Sequence, residues 1–172
     1  MADERSNSSA GATASTEPVW LDTEERATWL SLLAMMMPVP SALDAQLQRG
    51  AGLTFFEYMV LALLAEQPER RMRMSELAAV TNGSPSRLSH VARRLESQHF
   101  LDRESDAVDG RYTNAILTGA GVAKVESAAP GHVATARSIV IDSLTRQQLH
   151  QLRTVADRIL ARVTGETPCA GD

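Results

Sequence analysis

Six polar residues along one side of the stretch from Ser84 to Gln98 carry the chemistry most easily read from this chain. Ser86, Ser89, His90 and Arg93 recur at helical spacing, with Arg87 and Arg94 on the flank, and none of the six is a carboxylate. Short hydroxyls let a backbone come close to phosphates and base edges, and arginine offers forked donors for guanine or phosphate. The opposite side holds Leu88, Val91, Ala92 and Leu95 at the i, i+3, i+4, i+7 spacing of a packed helix face. A solvated surface helix presents the same polar side, so its meaning depends on its surroundings. One further cation stands out downstream. Asp109-Gly110 is a turn pair that sets Arg111 at a loop tip, and a loop arginine suits a narrow minor groove, where negative potential is enhanced.

The elements that must position these residues follow from local signals. Ser75 is the expected N-cap of a helix running to Thr81 that packs through Leu77, Ala78 and Val80. Asn82 and Gly83 make a turn, Ser84 caps the next helix, and Pro85 suits its first position. Helix, tight turn, helix is the result. Beyond Gln98, the stretch from Phe100 to Glu104 and that from Tyr112 to Leu117 read as strands around the polar run from Asp106 to Arg111. A short strand from Arg71 to Met74 is expected beside them.

Placed directly behind a helix-turn-helix, the run Asp109-Gly110-Arg111-Tyr112-Thr113-Asn114-Ala115-Ile116-Leu117-Thr118 resembles the D-x-R-x(5)-L-T signature of the MarR family of winged-helix transcriptional regulators. All four fixed positions match. The resemblance extends to Ser75-Glu76-Leu77-Ala78, Val91, Leu95-Glu96, Leu101, Arg103 and Gly121, and with helix lengths it spans about residues 20 to 163. It implies a mainly α fold with a small antiparallel β wing: a winged helix-turn-helix with N- and C-terminal helices forming a dimerisation region. In the family, the aspartate matching Asp109 braces the arginine matching Arg111, which reaches the minor groove. The plainer alternative is a surface salt bridge that stiffens a hairpin. The resulting candidate set for contact with double-stranded DNA is Ser84, Ser86, Arg87, Ser89, His90, Arg93, Arg94, Asp109 and Arg111. One position departs from the pattern. Where the family usually has glycine at the end of the recognition helix, often in a left-handed conformation, this chain has His99.

The rest of the chain reads as helical. Asp22 to Glu25 forms a capping box ahead of Trp29, Leu30, Leu32, Leu33 and Met36, and Pro38 and Pro40 are expected to kink or split that helix near Met37, with resumption from Ser41 to Arg49. Thr54 to Glu57 and Thr145 to Gln148 are two more capping boxes. Thr118 caps a helix that Pro130-Gly131 should bend or interrupt. The last helix, to Val163, carries Leu149, Leu152, Val155, Ala156, Ile159 and Leu160 on one stripe. That stripe needs a partner, and a two-fold homodimer supplies it, with Trp20, Leu149, Leu152, Val155 and Ile159 as the dimerisation residues. An intrachain bundle is the alternative. Two recognition helices about 34 Å apart then predict a pseudo-palindromic operator with half-sites about 10 base pairs apart. The organisation expected is a disordered tail over 1–19, a kinked dimerisation helix over 20–50, the DNA-binding unit over 53–118, dimerisation helices over 119–163 and a flexible tail over 164–172.

Charge fits a localised polyanion contact. The chain of 172 residues carries a net charge of −4, yet Arg70, Arg71, Arg73, Arg87, Arg93 and Arg94 stand against Glu76 alone between residues 70 and 94. Resemblance to MarR further implies small, often aromatic or phenolic, effector ligands bound between the dimerisation helices and the winged helix. Trp20, Trp29, Met36, Met37, Phe55, Phe56 and Tyr58 lie on helices that would border such a pocket, with Trp29, Met36 and Tyr58 the candidates for contact, although such residues are usually core packing. The single cysteine, Cys169, is far from the first helix, where some members of the family sense oxidants. The four histidines show no ligand spacing, so no metal or cofactor is expected, and neither a phosphate loop nor a nucleophile motif points to catalysis. With no apolar run near 20 residues and no signal peptide, the expected location is cytoplasmic. A winged helix used for protein contact is the rival reading; it has no need of an acid-free helix face or of Arg111. RNA binding lacks the aromatic platforms it requires.

Overall fold

Side-chain caps set most of the helix starts in the structure, a computed structural model that describes residues 18–106 and 109–165. The expected terminal tails lie largely outside the described residues, and Cys169 lies wholly outside them. The chain forms two units that divide after Met35. In the first, the Asp22 carboxylate accepts the Glu25 N–H and the Glu25 carboxylate accepts the Asp22 N–H, both at 2.9 Å, and this box opens helix α1, Thr23–Met36. Trp20 precedes the helix rather than lying on it. None of the residues of α1 is buried, so its Trp29 and Leu30 are exposed.

The expected split falls at Met37, but α2 begins at once, Pro38–Ala51, instead of at Ser41. Pro38 occupies the first turn, where the missing N–H costs nothing, and Ser41 Oγ donates to the Met37 carbonyl at 3.1 Å. By length and composition the run Thr23–Ala51 is apolar enough to cross a membrane, contrary to the expectation that no stretch approaches this; the break at Met37 and the two prolines interrupt it. Gly52, left-handed at φ 64°, closes α2.

Thr54 and Glu57 complete the second capping box and start α3, Phe55–Ala65. A strand, β1 Arg71–Arg73, leads into α4, Met74–Val80. Its N-cap is Arg73, not Ser75, because the strand hands over to the helix without an intervening loop. Leu77 and Ala78 pack as expected, whereas Val80 is 58% exposed: it falls at the last helical position, past the buried face. After the Asn82-Gly83 turn, Ser84 Oγ accepts the Arg87 N–H at 3.2 Å and α5 runs Pro85–Ser97.

The end of α5 answers the question posed by His99. It takes the left-handed conformation, φ 60°, that the family fills with glycine. The His99 N–H reaches the Glu96 carbonyl at 2.9 Å and the Phe100 N–H reaches the Leu95 carbonyl at 3.0 Å, the paired bonds of a left-handed helix stop. Histidine thus closes the helix in the same way at some cost in strain. His99→Gly is expected to raise stability by about 0.5–1 kcal/mol, read as a higher urea midpoint at constant slope; a lower midpoint would show that the imidazole contributes more than the strain removes.

Strands β2 Leu101–Ser105 and β3 Thr113–Leu117 pair antiparallel, with Leu101 opposite Leu117, and β1 adds to the other side of β3. Tyr112, expected within the strand, lies in the bend before it. Thr118 Oγ1 accepts the Gly121 N–H at 3.0 Å and donates to the His99 carbonyl at 2.7 Å, joining the end of α5 to the start of α6, Gly119–Ile139. Gly121 is required by contact: a Cβ there would stand 2.0 Å from the Phe100 carbonyl oxygen. Pro130-Gly131, expected to bend or interrupt α6, leaves it continuous from Gly119 to Ile139, so the interruption does not occur; packing of α6 against α2 and α3 opposes the cost of an interior proline, about 3 kcal/mol. Helix α7, Arg146–Thr164, follows the third capping box. The buried core lies in the second unit, formed by Leu47, Leu53, Leu61, Leu64, Leu77, Leu88, Leu95, Leu101 and their neighbours.

Candidate nucleic-acid interface

The core residues Leu88, Ala92 and Leu95 turn α5 so that Ser86, Arg87, His90, Arg93 and Arg94 are exposed and Ser89 is partly so. The first turn of α5 holds no acid, and the one acid of the helix, Glu96, lies near its end and pairs with Arg103. Arg93 Nε donates to the Ser89 carbonyl at 3.2 Å, which holds its side chain along the helix. The Arg87 guanidinium lies 4.1 Å from the Phe56 ring centroid, a cation-π contact that leans it toward α3.

Counting charges along the sequence overstates the basic cluster. Arg71 pairs with Glu104 at 3.5 Å, Arg73 pairs with Asp106 at 3.9 Å and lies over the Tyr112 ring, and Arg94 pairs with Glu57 at 3.2 Å. Each acid comes from outside the 70–94 window, which is why the window looked so positive. Among the described residues Arg70, Arg87 and Arg93 have no carboxylate within 4.0 Å.

At the wing, a turn closes between the Asp109 carbonyl and the Tyr112 N–H, 3.0 Å, with Gly110 and Arg111 at its corner. The Asp109 carboxylate accepts the Arg111 backbone N–H at 3.1 Å, its Nε at 2.9 Å and its Nη2 at 2.7 Å. The arginine side chain nonetheless remains 84% exposed. Its aim is fixed while its outer edge faces solvent. These bonds hold the Asp109 carboxyl below the usual carboxylate range and raise the Arg111 guanidinium further. For a depressed carboxylate the brace is fully present above the ordinary aspartate pKa and is lost as pH falls through the lowered one, so it is intact at neutral pH.

Sequence reasoning missed two supporting residues. Asp106 accepts the Asp109 N–H at 3.1 Å and the buried Asn114 amide at 3.1 Å, so it staples the base of the wing. Glu57 was visible only as a capping-box residue; its second bond, to Arg94, joins elements 37 positions apart and leaves no local signal. By contrast, two positions that carry the family resemblance prove to be a physical pair: Arg103 Nε donates to the Glu96 carboxylate at 2.9 Å, tying β2 to α5.

Of the candidate ligand contacts, Trp29 belongs to the first unit and Met36 and Tyr58 to the second. A groove of the second unit, about 830 Å³, is lined by Asp44, Phe55, Phe56, Met59, Arg87 and Arg94 among others, and not by Tyr58. Tyr58 is buried 4.6 Å from the His132 ring, and burial followed by the charge of Glu66 raises its phenol pKa. Trp29 and Met36 are about half exposed on α1. Of the dimerisation candidates, Trp20, Leu152, Val155 and Ile159 are exposed and Leu149 is partly so. Nothing in α7 is buried within the chain.

Comparison with known proteins follows the same lines. A MarR family model matches residues 51–111. The structure of Sco3205, a MarR family transcriptional regulator from Streptomyces coelicolor in complex with DNA, is 40% identical with a TM-score of 0.81, covering 85% of this chain and 91% of that one. AbsC, another MarR family regulator from the same organism, is 35% identical with a TM-score of 0.81 over 87% of this chain and all of its own. CouR from Rhodococcus jostii RHA1 bound to p-coumaroyl-CoA shares the fold at 24% identity and a TM-score of 0.66, covering 79% of this chain and 92% of that one. No curated protein matches. With two solved structures alike over nearly their whole length at 35% identity or more, this chain belongs to the MarR family of transcriptional regulators.

Proposed function

We propose that this protein is a homodimeric, sequence-specific reader of double-stranded DNA that represses transcription from a pseudo-palindromic operator and is released by a small aromatic or phenolic ligand. The observation that carries this reading is Arg111, braced by Asp109 yet 84% exposed, on the wing that follows a helix whose residues 85–95 include arginines, serines and a histidine but no acid. In this reading α5 enters the major groove, where Ser86, Ser89, His90 and Arg93 face base edges and Ser84 and Arg87 face phosphates. Arg111 enters the adjacent minor groove. Residues 53–118 act as the DNA-binding unit; helices within 20–50 and 119–163 join two copies.

Several findings support it. A relative of 40% identity was solved on DNA. Helix α7 exposes Leu152, Val155, Ile159 and Leu160 on one stripe, which an intrachain bundle would have covered. Ligand response is what membership of the family implies, and CouR, which shares the fold, was solved bound to p-coumaroyl-CoA. By linkage, a ligand that weakens DNA binding must bind the DNA-free protein more tightly by the same factor.

Selection of binding sites from a random-sequence duplex pool, with the full chain, tests the reading. The expected outcome is an inverted repeat with half-site centres about 10 base pairs apart, and competition by one or more of a panel of aromatic acids. Enrichment of no sequence would overturn the assignment.

A further inference from the structure

Arg94 differs from the other arginines of the α5 face because a buried carboxylate holds it. Glu57, 2% exposed at the side chain, spends one oxygen on the Thr54 N–H at 2.8 Å and presents the other to Arg94 Nε at 3.2 Å. A carboxylate so buried requires a cation, and removing either partner leaves an uncompensated charge. The acid cannot follow Arg94 toward solvent, because the start of α3 is pinned from a second side: Asp44 of α2 accepts the Phe55 N–H at 2.7 Å. Arg94 therefore has its charge neutralised in place, whereas Arg93 beside it bonds only a backbone carbonyl among the described contacts.

We propose that Glu57 is a positioning residue that sets how much of the affinity is independent of sequence: by neutralising Arg94 against the body of the domain, it withholds one cation from indiscriminate phosphate contact and leaves discrimination to the rest of the face. This inference rests on the DNA-reading assignment above. Each arginine that displaces a phosphate counterion adds about 0.9 to the slope of log affinity against log salt, which at 0.1 M salt is about eightfold in binding to any duplex. Withholding one such contact lowers the part of the binding that any sequence receives, so base contacts supply a larger share of the affinity for an operator.

The test uses the full-length chain and a random-sequence duplex, with affinity read by fluorescence anisotropy across a series of KCl concentrations. Glu57→Gln keeps an acceptor for the Thr54 N–H but removes the charge. It is expected to steepen the salt slope by about one and to tighten binding to the random duplex about eightfold at 0.1 M salt. The double variant Glu57→Gln/Arg94→Gln is neutral at both positions, avoids a lone buried charge, and is expected to keep the wild-type slope. A Glu57→Gln slope equal to wild type, or a double variant flatter than wild type by about one, would overturn the proposal, the latter by showing that Arg94 already meets phosphate. Failure of the wild-type chain to bind any duplex would instead bring down the DNA-reading assignment on which the proposal rests.

Discussion

A chain truncated after Ser143 is expected to sediment as a monomer and to lose operator affinity by about 10²–10⁴-fold, the range that separates two linked contacts from one. The loss would not come from a damaged core. Helix α7 begins at Arg146 and contributes no buried residue to its own chain, so removing it exposes little that was covered. What it removes is the stripe of Leu152, Val155, Ile159 and Leu160, the apolar surface that the proposed dimer would cover. The melting temperature of the remaining domain should therefore become independent of protein concentration. A truncated chain that still sediments as a dimer would place the interface elsewhere.

Arg111→Ala is the second large effect expected: a loss of about 1–3 kcal/mol in operator binding, or roughly 5- to 150-fold, with no change in folding stability. The two readouts separate because the side chain is 84% exposed and, among the described residues, pairs within its own turn. Asp109→Ala should weaken operator binding less, since it releases the arginine without removing it. The brace matters at neutral pH because the depressed Asp109 carboxyl stays ionised there, and it fails only well into acid. Unchanged operator affinity in Arg111→Ala, measured by titration of the selected duplex, would remove the wing from recognition.

Most of what positions the site was legible because it is encoded locally. Three capping boxes, the Ser84-Pro85 start and the Asp109-Gly110 turn each depend on residues within four positions, and each stands where its local chemistry puts it. The errors share a different cause. Ser75 lost the N-cap because β1 runs straight into α4, a handover decided by pairing with a strand 43 residues away. Pro130 left α6 continuous because α6 packs against α2 and α3, distant elements whose contacts oppose the cost of an interior proline, about 3 kcal/mol. The ion pairs of Arg71, Arg73 and Arg94 all reach acids outside the basic window, so no count along the sequence could show that half of that cluster is neutralised. His99 lies between these cases: the left-handed helix end was foreseeable, and the structure shows that histidine accepts it.

In the proposed complex the α5 face and the Arg111 turn grip duplex DNA together, presented twice by a dimer. Hydroxyl-radical footprinting of the selected operator by the full chain tests it most directly, because the radical reports on minor-groove access at each nucleotide. Two protected minor-groove patches are predicted, symmetric about the operator centre and both lost in Arg111→Ala while major-groove contacts persist. A single patch, or a footprint that Arg111→Ala leaves intact, would contradict the account.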